Sequence, residues 1–577
     1  MSNKIDKSFK DPVYGYINIA PDWVSAIIDT PVFQRLRDVV QTSYAPLYPS
    51  ATHNRFVHSL GVYHLGSIVK REIESSSLRN LLGKKGAGLS RASCDRYLRV
   101  FLLACLLHDV GHAPFSHTGE GFYIEKSENG QSIKLHARIA KLLDDKEFAL
   151  ERVKQPKTAA PHELMSIIIA LTQFHDQFNS KSEKVFFARA IAGYTYDVKS
   201  ANAGECSFLS FLNCLISLLN SSIVDVDRLD YLIRDASATG FKTVVVDYQR
   251  LLGGIRIRMI GNVCSVVFNK RAVSVLENVV YAHDAERKWV QNHPAIGYEM
   301  SLLREIFEEL NDKFGKKLRG KTLFCEEALG RKGVSAAGLG SSARLRYLSD
   351  ADILFLMKNL RSQRTERYFD RAKRFAPIWK SEAEFCGLFN AAEWDVDVGT
   401  GGLTRLRKVL EGLLNSMRLL NITRLDAKAL KILKKEEAKA KKSCEQARNK
   451  ADRTLDQASI WSQKTLFRQL ADVLCTFAKD RRMPFSFYLL NGKTFTSGFA
   501  KSDLSRLQIE LGEEGRTVDF GKITKTLDSR DSSLPQTVYY LFGKRIVGDK
   551  ARLSRELTEK LKSFVRECGQ TIDKVFA

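Results

Sequence analysis

The segment FLLACLLHDVGHAPFSH, residues 101–117, holds the densest set of reactive side chains in the sequence. His108 and Asp109 close a run of seven largely apolar residues. A charged pair is costly to bury there unless something compensates it. A divalent cation does so, since imidazole nitrogen and carboxylate oxygen are ligands shared by Mn, Fe, Zn and Ni. Alone, the dipeptide reads equally well as a helix end reaching solvent. It does not stand alone: Gly111, His112, Pro114 and His117 follow, placing three of the chain's 11 histidines in one short stretch.

Two further segments carry candidates. THNRFVHSLGVYHLG, residues 52–66, offers His58 as a second imidazole, with Arg55 three residues back. On a helix both project from one side. A single histidine so placed is more often a core or surface residue than a ligand. VDVDRLDYLIRDA, residues 224–236, places Asp227, Tyr231 and Asp235 at i, i+4 and i+8, with Arg234 beside them. They form one polar stripe on a helix whose other positions (Val224, Val226, Leu229, Leu232, Ile233) are apolar. A solvated amphipathic face is the plain structural alternative.

The elements that must position these groups are mainly helical. Residues 1–20 read as a short strand or extended arm, punctuated by Asp11-Pro12 and Gly15. From Pro21, Val24, Ile27 and Ile28, then Phe33, Leu36, Val39 and Val40, follow helical spacing. Helical periodicity continues to about residue 312, interrupted by one hairpin, IRIRMIGNVCSVVFN, whose turn is Gly261-Asn262. Residues 313–345 are rich in Gly, Lys, Ser and Ala and read as an exposed loop. LSDADILFLMKNL restores helix towards Trp379, and DVGTGGLT at 397–404 breaks it. LKKEEAKAKKSCEQARNKADRTLDQ, from Leu433 to Gln457, reads as a long exposed helix, a connector. The last hundred residues mix strand-like FSFYLL and TVYYLF with a final helix. The expected fold is mainly α: a helical core with a short β-hairpin over 1–380, a helical connector over 381–460 and a small α+β module over 461–577.

Bulk properties set the limits. At 577 residues the chain exceeds one ordinary core, and its 44% hydrophobic content supplies a large one. Against 66 Asp and Glu stand 90 Lys and Arg, a net charge of +24 that favours polyanions: nucleic acid, nucleotides or an anionic surface. The ten cysteines are scattered with no CxxC pair, which excludes a zinc ribbon and a thioredoxin-like motif. No apolar stretch is long enough to span a bilayer and the N-terminus has no signal core, so a cytoplasmic protein without a membrane partner is expected.

Taken in chain order, HNRFVHSLGV, HDVGHAPFSH and DVDRLDYLIRD resemble the HD-domain deoxynucleoside triphosphate triphosphohydrolases, vertebrate and bacterial. DPVYGYI, IDTPVFQRLRDVVQ and YLSDADILFLMK extend the likeness over roughly residues 5–380, without a SAM domain. The resemblance implies that His58, His108, Asp109 and Asp227 bind one divalent ion: Mn, Fe, Zn, Mg or Ni. It implies phosphate contacts from Arg55 and Arg228, and an acid/base role for His112 supported by His117, His162 and Glu163. Gln41 and Asp235 would bond the sugar 3′-hydroxyl, Tyr231 would pack on the sugar and disfavour a 2′-hydroxyl, and His293 keeps part of a Tyr-x-His stretch. Asp29, Gln34 and Arg37 match an element that binds an activating nucleotide between subunits of a homo-oligomer. The implied reaction is attack of water on the α-phosphorus of a dNTP, releasing deoxynucleoside and triphosphate. In a bacterium it would deplete dNTPs in antiviral defence.

The match loosens at named places. Thr42-Ser43-Tyr44 follows Gln41 where relatives have an apolar residue and glycines; Val57 replaces an acid; Arg228 replaces a lysine. ERKWVQNHPA lacks the tyrosine, and Lys10 and Tyr16 depart from the activating site. Two other readings stand beside the first: a hydrolase of another nucleotide or of a nucleic-acid end, and a nucleic-acid-binding protein whose HD core is regulatory. The second rests on the charge and on the basic stretches 313–321 and 431–442.

Overall fold

The computed structural model describes residues 6–42, 47–83, 88–123, 133–155, 159–199, 201–221, 224–241, 245–315, 323–335, 344–381, 384–385, 402–448, 454–480, 486–492, 505–512, 516–524, 538–544 and 550–576. Residues 316–322 and 336–343 of the expected 313–345 loop, residues 397–401 of the Gly-rich break and the Ser43-Tyr44 pair lie outside them; the described part of that loop is not an exposed one, since Glu326–Leu329 is a short helix and Leu323, Phe324, Ala328 and Leu329 are buried. The fold is mainly α with small sheets, as expected. The chain divides into two compact units: residues 1–291, 307–360 and 497–532 form the first, and residues 292–306, 361–496 and 533–577 the second.

The first unit opens with an antiparallel hairpin, Lys7–Asp11 and Gly15–Ile19. Its turn is held by the Asp11 carboxylate, which accepts the amides of Val13 and Tyr14 at 2.9 Å each. Helices then dominate. Arg55–Ser76 is capped by Asn54, and Arg91–Leu107 by Ser90 in a capping box with Ser93. Val226–Thr239 starts at Asp225, whose side chain accepts the Arg228 amide at 2.7 Å. From Val100 to Leu107 every residue of the second of these helices is buried, so its C-terminal end, bearing His108 and Asp109, lies at the centre of the unit. A Cβ on Gly61 would stand 1.9 Å from Asp230 Oδ1, so glycine there lets Val226–Thr239 approach Arg55–Ser76 closely.

The hairpin Ile255–Ile260 and Val263–Asn269 forms as expected around Gly261-Asn262, with Gly261 at φ +62°. It is not isolated. Gln508–Glu510 adds to Val263–Asn269 in parallel, and Thr517–Asp519 pairs with Gln508–Glu510, giving a four-stranded sheet.

In the second unit Phe375–Pro377, Val538–Lys544, Ser486–Gly492 and Leu425–Asp426 form an antiparallel sheet in that order. FSFYLL and TVYYLF are its two long strands. The expected connector behaves differently from an exposed spacer. Ala427–Arg448 packs antiparallel on Thr454–Asp480, burying Ala429, Leu433 and Cys444 and pairing Glu437 with Arg468 at 2.7 Å. The expected boundaries at 380 and 460 therefore differ from the observed division, because backbone pairing carries residues 508–519 into the first unit.

Candidate metal and catalytic site

Three helices deliver the expected ligands to one point in the first unit. His58 lies in the first turn of Arg55–Ser76, His108 and Asp109 follow Arg91–Leu107, and Asp227 lies in the first turn of Val226–Thr239. His58 Nε2 is 3.2 Å from His108 Nε2, 3.0 Å from Asp227 Oδ1 and 3.5 Å from Asp109 Oδ2. His108 Nε2 is 3.5 Å from Asp109 Oδ1 and 3.6 Å from Asp227 Oδ1. The side chains of His58, His108 and Asp109 are 0%, 8% and 2% exposed, whereas Asp227 is 42% exposed, so the cluster opens on the Asp227 side.

The donor set fits a cation. His58 Nδ1 donates to Asp230 Oδ2 at 2.7 Å and His108 Nδ1 to the Cys105 carbonyl at 2.9 Å. Each bond turns an Nε2 inward, where a positive ion between the rings would take the place of the proton that the acidic surroundings draw to His58. The charges agree. Burial opposes ionisation of His58, but its bonds to Asp227 and Asp230 and the charge of Asp109 prevail, raising it to about 10. Burial likewise pushes Asp109 up, yet Arg55, His108 and His112 hold its carboxylate well below the usual range. Asp230 is fixed in turn by Arg234, through bonds of 2.9 and 3.0 Å, and Arg234 by Asp11 at 2.9 Å.

Arg55 Nη1 donates to Asp109 Oδ2 at 2.7 Å, Nη2 to the Gln41 carbonyl at 2.8 Å and Nε to Ser116 Oγ at 3.0 Å. Arg228 is anchored by its Nη2 on the Ser221 carbonyl at 3.2 Å. Beside the ligand cluster, His112 Nε2 lies 3.2 Å from Asp109 Oδ1. The His112 ring stacks on His162 with centroids 4.1 Å apart, and His117 meets both edge-on at 5.3 Å.

The acid that serves these rings is Glu120, which the sequence reading did not single out. Its Oε1 accepts from His117 Nδ1 at 3.0 Å and its Oε2 accepts from His162 Nδ1. Glu163 is employed elsewhere: it closes the first turn of Pro161–Gln173 through the Ala160 amide and accepts from Asn220 Nδ2 at 2.9 Å. Burial drives His162 down, but the Glu120 charge outweighs it and raises the ring to about 9. His112, the expected acid/base residue, is pushed well below the ordinary imidazole range by burial, by Arg55 and by His162. The proton at neutral pH therefore rests on His162.

The backbone leading into His117 is strained. Phe115 and Ser116 have φ of +56° and +49°, a region that costs side chains of this kind about 1–3 kcal/mol. Asp350, from the helix Asp350–Leu360, compensates by accepting the Phe115 amide at 2.6 Å and the Val40 amide at 3.0 Å. Burial raises Asp350 to about 7.

Away from the ligand cluster, Asp235 accepts from His53 Nε2 at 2.6 Å. Gln41, next to the paired Val40, donates its amide to the His53 carbonyl at 3.0 Å, and its side chain is buried. Tyr231 has Arg228 and Glu286 as charged neighbours. His293 belongs to the second unit, where its Nδ1 accepts the Ala295 amide at 3.2 Å at the start of Pro294–Leu310. Of the expected activating residues, Asp29 and Arg37 are exposed and Gln34 half-buried. Gln34 spans from the Ile28 carbonyl at 2.7 Å to Arg37 Nε at 2.7 Å.

Residues 55–187 match the HD domain family. The chain is 27% identical over 316 residues to the uncharacterized protein MG461 of Mycoplasma genitalium, covering 53% of this chain and 62% of that protein. It is 27% identical over 311 residues to the deoxynucleoside triphosphate triphosphohydrolase SAMHD1 of Gallus gallus, covering 53% and 45%. It is 31% identical over 256 residues to the uncharacterized protein YwfO of Bacillus subtilis, covering 44% and 45%. The resemblance drawn from the three motifs is thus found again in whole-sequence comparison. The chain spans about half the length of the curated relatives it matches. A crystal structure of a hypothetical protein from Aquifex aeolicus shares the fold, with a TM-score of 0.51 at 18% identity over 97% of this chain and 100% of that one. No described helix is long and apolar enough to cross a membrane.

Proposed function

We propose that this chain hydrolyses deoxynucleoside triphosphates to deoxynucleoside and inorganic triphosphate. One observation carries the reading: His58, His108, Asp109 and Asp227 converge within 3.0–3.6 Å beside a stack of histidines that holds a proton. These four residues would hold a divalent ion, whose Lewis acidity would draw charge from the phosphate and make a nearby water more acidic. Arg55 and Arg228 hold the phosphates and stabilise the charge that grows as the water oxygen bonds to the α-phosphorus. The bond from that phosphorus to the 5′-oxygen breaks, the leaving oxygen takes a proton from the His112–His162 stack, and the proton lost by the attacking water replaces it. Tyr231 packs against the sugar at the position of a 2′-hydroxyl, and Gln41 and Asp235 bond the 3′-hydroxyl. The single ion is Mn, Fe, Zn, Mg or Ni. An activating nucleotide at Asp29, Gln34 and Arg37 would couple activity to homo-oligomerisation, and the pathway served would be dNTP depletion in antiviral defence.

The test is incubation of the purified chain with each dNTP and NTP in Mn or Mg, alone and in pairs, followed by chromatography. Deoxynucleoside plus triphosphate, lost in Asp109→Ala, is the expected result. No product from any nucleotide by folded, metal-loaded protein would refute it and favour the nucleic-acid reading that the charge of +24 suggests. Activation fails if added GTP changes neither rate nor mass in size-exclusion chromatography.

A further inference from the structure

The helix Ala427–Arg448 lies outside residues 55–187, and its two faces differ sharply in chemistry. One face, through Ala429, Leu433 and Cys444, is buried as the helix packs on Thr454–Asp480. The helix carries seven lysines against three glutamates. At 3.6 residues per turn, Lys428, Lys431, Lys435, Lys439 and Lys442 fall within a sector of about 80°, centred opposite the buried face. All five are exposed. The same sector also holds Gln446 but no acid, no aromatic ring and no large apolar side chain.

Lys439 pairs with Glu436 at 2.7 Å, one turn back on the same helix. Lys428, Lys431, Lys435 and Lys442 have no acid within ion-pair distance among the described residues. Lys434 and Lys441, on the flank of the row, lean on Asp472 at 3.8 Å and Glu445 at 4.0 Å. Like charges three and four residues apart on one helix repel. The buried face holds this row together against that repulsion, and a polyanion laid along it would relieve the repulsion.

We propose that this lysine row binds the phosphate backbone of double-stranded nucleic acid without reading its sequence. From Lys428 to Lys442 the row runs about 21 Å along the helix axis. A duplex offers one phosphate charge per about 1.7 Å of its own axis, so every lysine in the row meets one. A single nucleotide is too short to engage the row. A helix lying in a bilayer surface turns an apolar face to the lipid, and here that face is covered by Thr454–Asp480. Sites for single strands add aromatic side chains on which bases stack, and the sector has none. Lysine contacts phosphate as a point charge, which positions a duplex and carries no sequence information. The proposal does not depend on the hydrolase reading above.

The experiment titrates the full chain against a labelled DNA duplex and its separated strand, by fluorescence anisotropy from about 50 to 200 mM salt. With five contacts, the slope of log affinity on log salt for the duplex should be about −4.5. Lys431→Glu, Lys435→Glu and Lys442→Glu combined should leave a slope of about −1.8 and weaken binding at least tenfold. The same three positions changed to Gln should flatten the slope equally. Lys146→Glu, Lys270→Glu and Lys358→Glu combined alter net charge by the same amount at exposed lysines elsewhere. That control should keep the wild-type slope and bind within threefold of wild type. Melting curves verify folding, and the Gln triple decides should the Glu triple fail to fold. Equal weakening in the control overturns the row as the site, since net charge alone then accounts for binding. Tighter binding of the single strand than of the duplex also overturns it. So does failure of folded wild type to bind the duplex, and sedimentation with phosphatidylserine vesicles would then identify a lipid surface instead.

Discussion

Replacing Glu120 by glutamine removes one negative charge and leaves the shape of the histidine cluster nearly unchanged. Glu120 is the reason His162 is cationic, because burial alone would push that ring below 6.5. A drop from about 9 to 6.5 is about 2.5 pKa units, or about 3 kcal/mol at 1.36 kcal/mol per unit. The sign follows from linkage. A histidine whose pKa is raised on folding contributes its stability fully below pH 6.5, and that contribution fades as pH rises through about 9. Wild type should therefore lose stability between pH 6.5 and 9.5, and Glu120→Gln should lose much less there. The activity profile should move in the same sense, with its alkaline limb falling from near 9 to below 7. Chemical denaturation at half-unit pH steps, paired with nitrogen-15 titration of the imidazoles, measures both. Parallel stability curves for the two proteins, with His162 still titrating near 9 in the variant, would refute the reasoning.

Two other changes follow from the geometry. Asp230→Asn leaves His58 Nδ1 without its anionic acceptor, so metal affinity should fall about 10–100-fold by competition with a chelator. Unaltered metal retention would show that Asp230 does not orient the ligand. Gly61→Ala drives a methyl group to within 1.9 Å of Asp230 Oδ1, in the seam between two ligand-bearing helices. It should cost about 1–3 kcal/mol in denaturant unfolding and lower metal content, and full stability would mean that the seam yields.

How far the sequence discloses the site can be judged from individual residues. His58, His108, Asp109 and Asp227 were legible because each sits at a helix end marked by its own motif, and helix ends are fixed locally. Glu163 comes with His162 from the family resemblance, which did not single out Glu120. A local signal did point the other way: Pro161 at the first position and Glu163 at the third are the marks of a helix start, which is how Glu163 is spent. Asp230 stands three residues after Asp227, a spacing that turns it towards His58 once Gly61 admits the helix. The depressed pKa of His112 depends on the packing of His162 and Arg55 and has no trace in local pattern. The hairpin was legible from its turn, whereas its parallel pairing with Gln508–Glu510 joins residues some 240 positions apart and has no local cause.

Asp350 sets an order of events in the life of the chain. The groups it ties down, the amides of Val40 and Phe115, precede it by 310 and 235 residues. A nascent chain that has made both histidine motifs and the Asp227 helix still has no acceptor to pay for the twisted backbone at Phe115 and Ser116. Arg35 waits likewise for the Leu348 carbonyl, which it meets at 3.1 Å. The four expected ligands are thus translated well before the part that sets His117 in place. A chain halted on the ribosome short of residue 350 carries all four of the expected ligands and lacks the clasp on Val40 and Phe115.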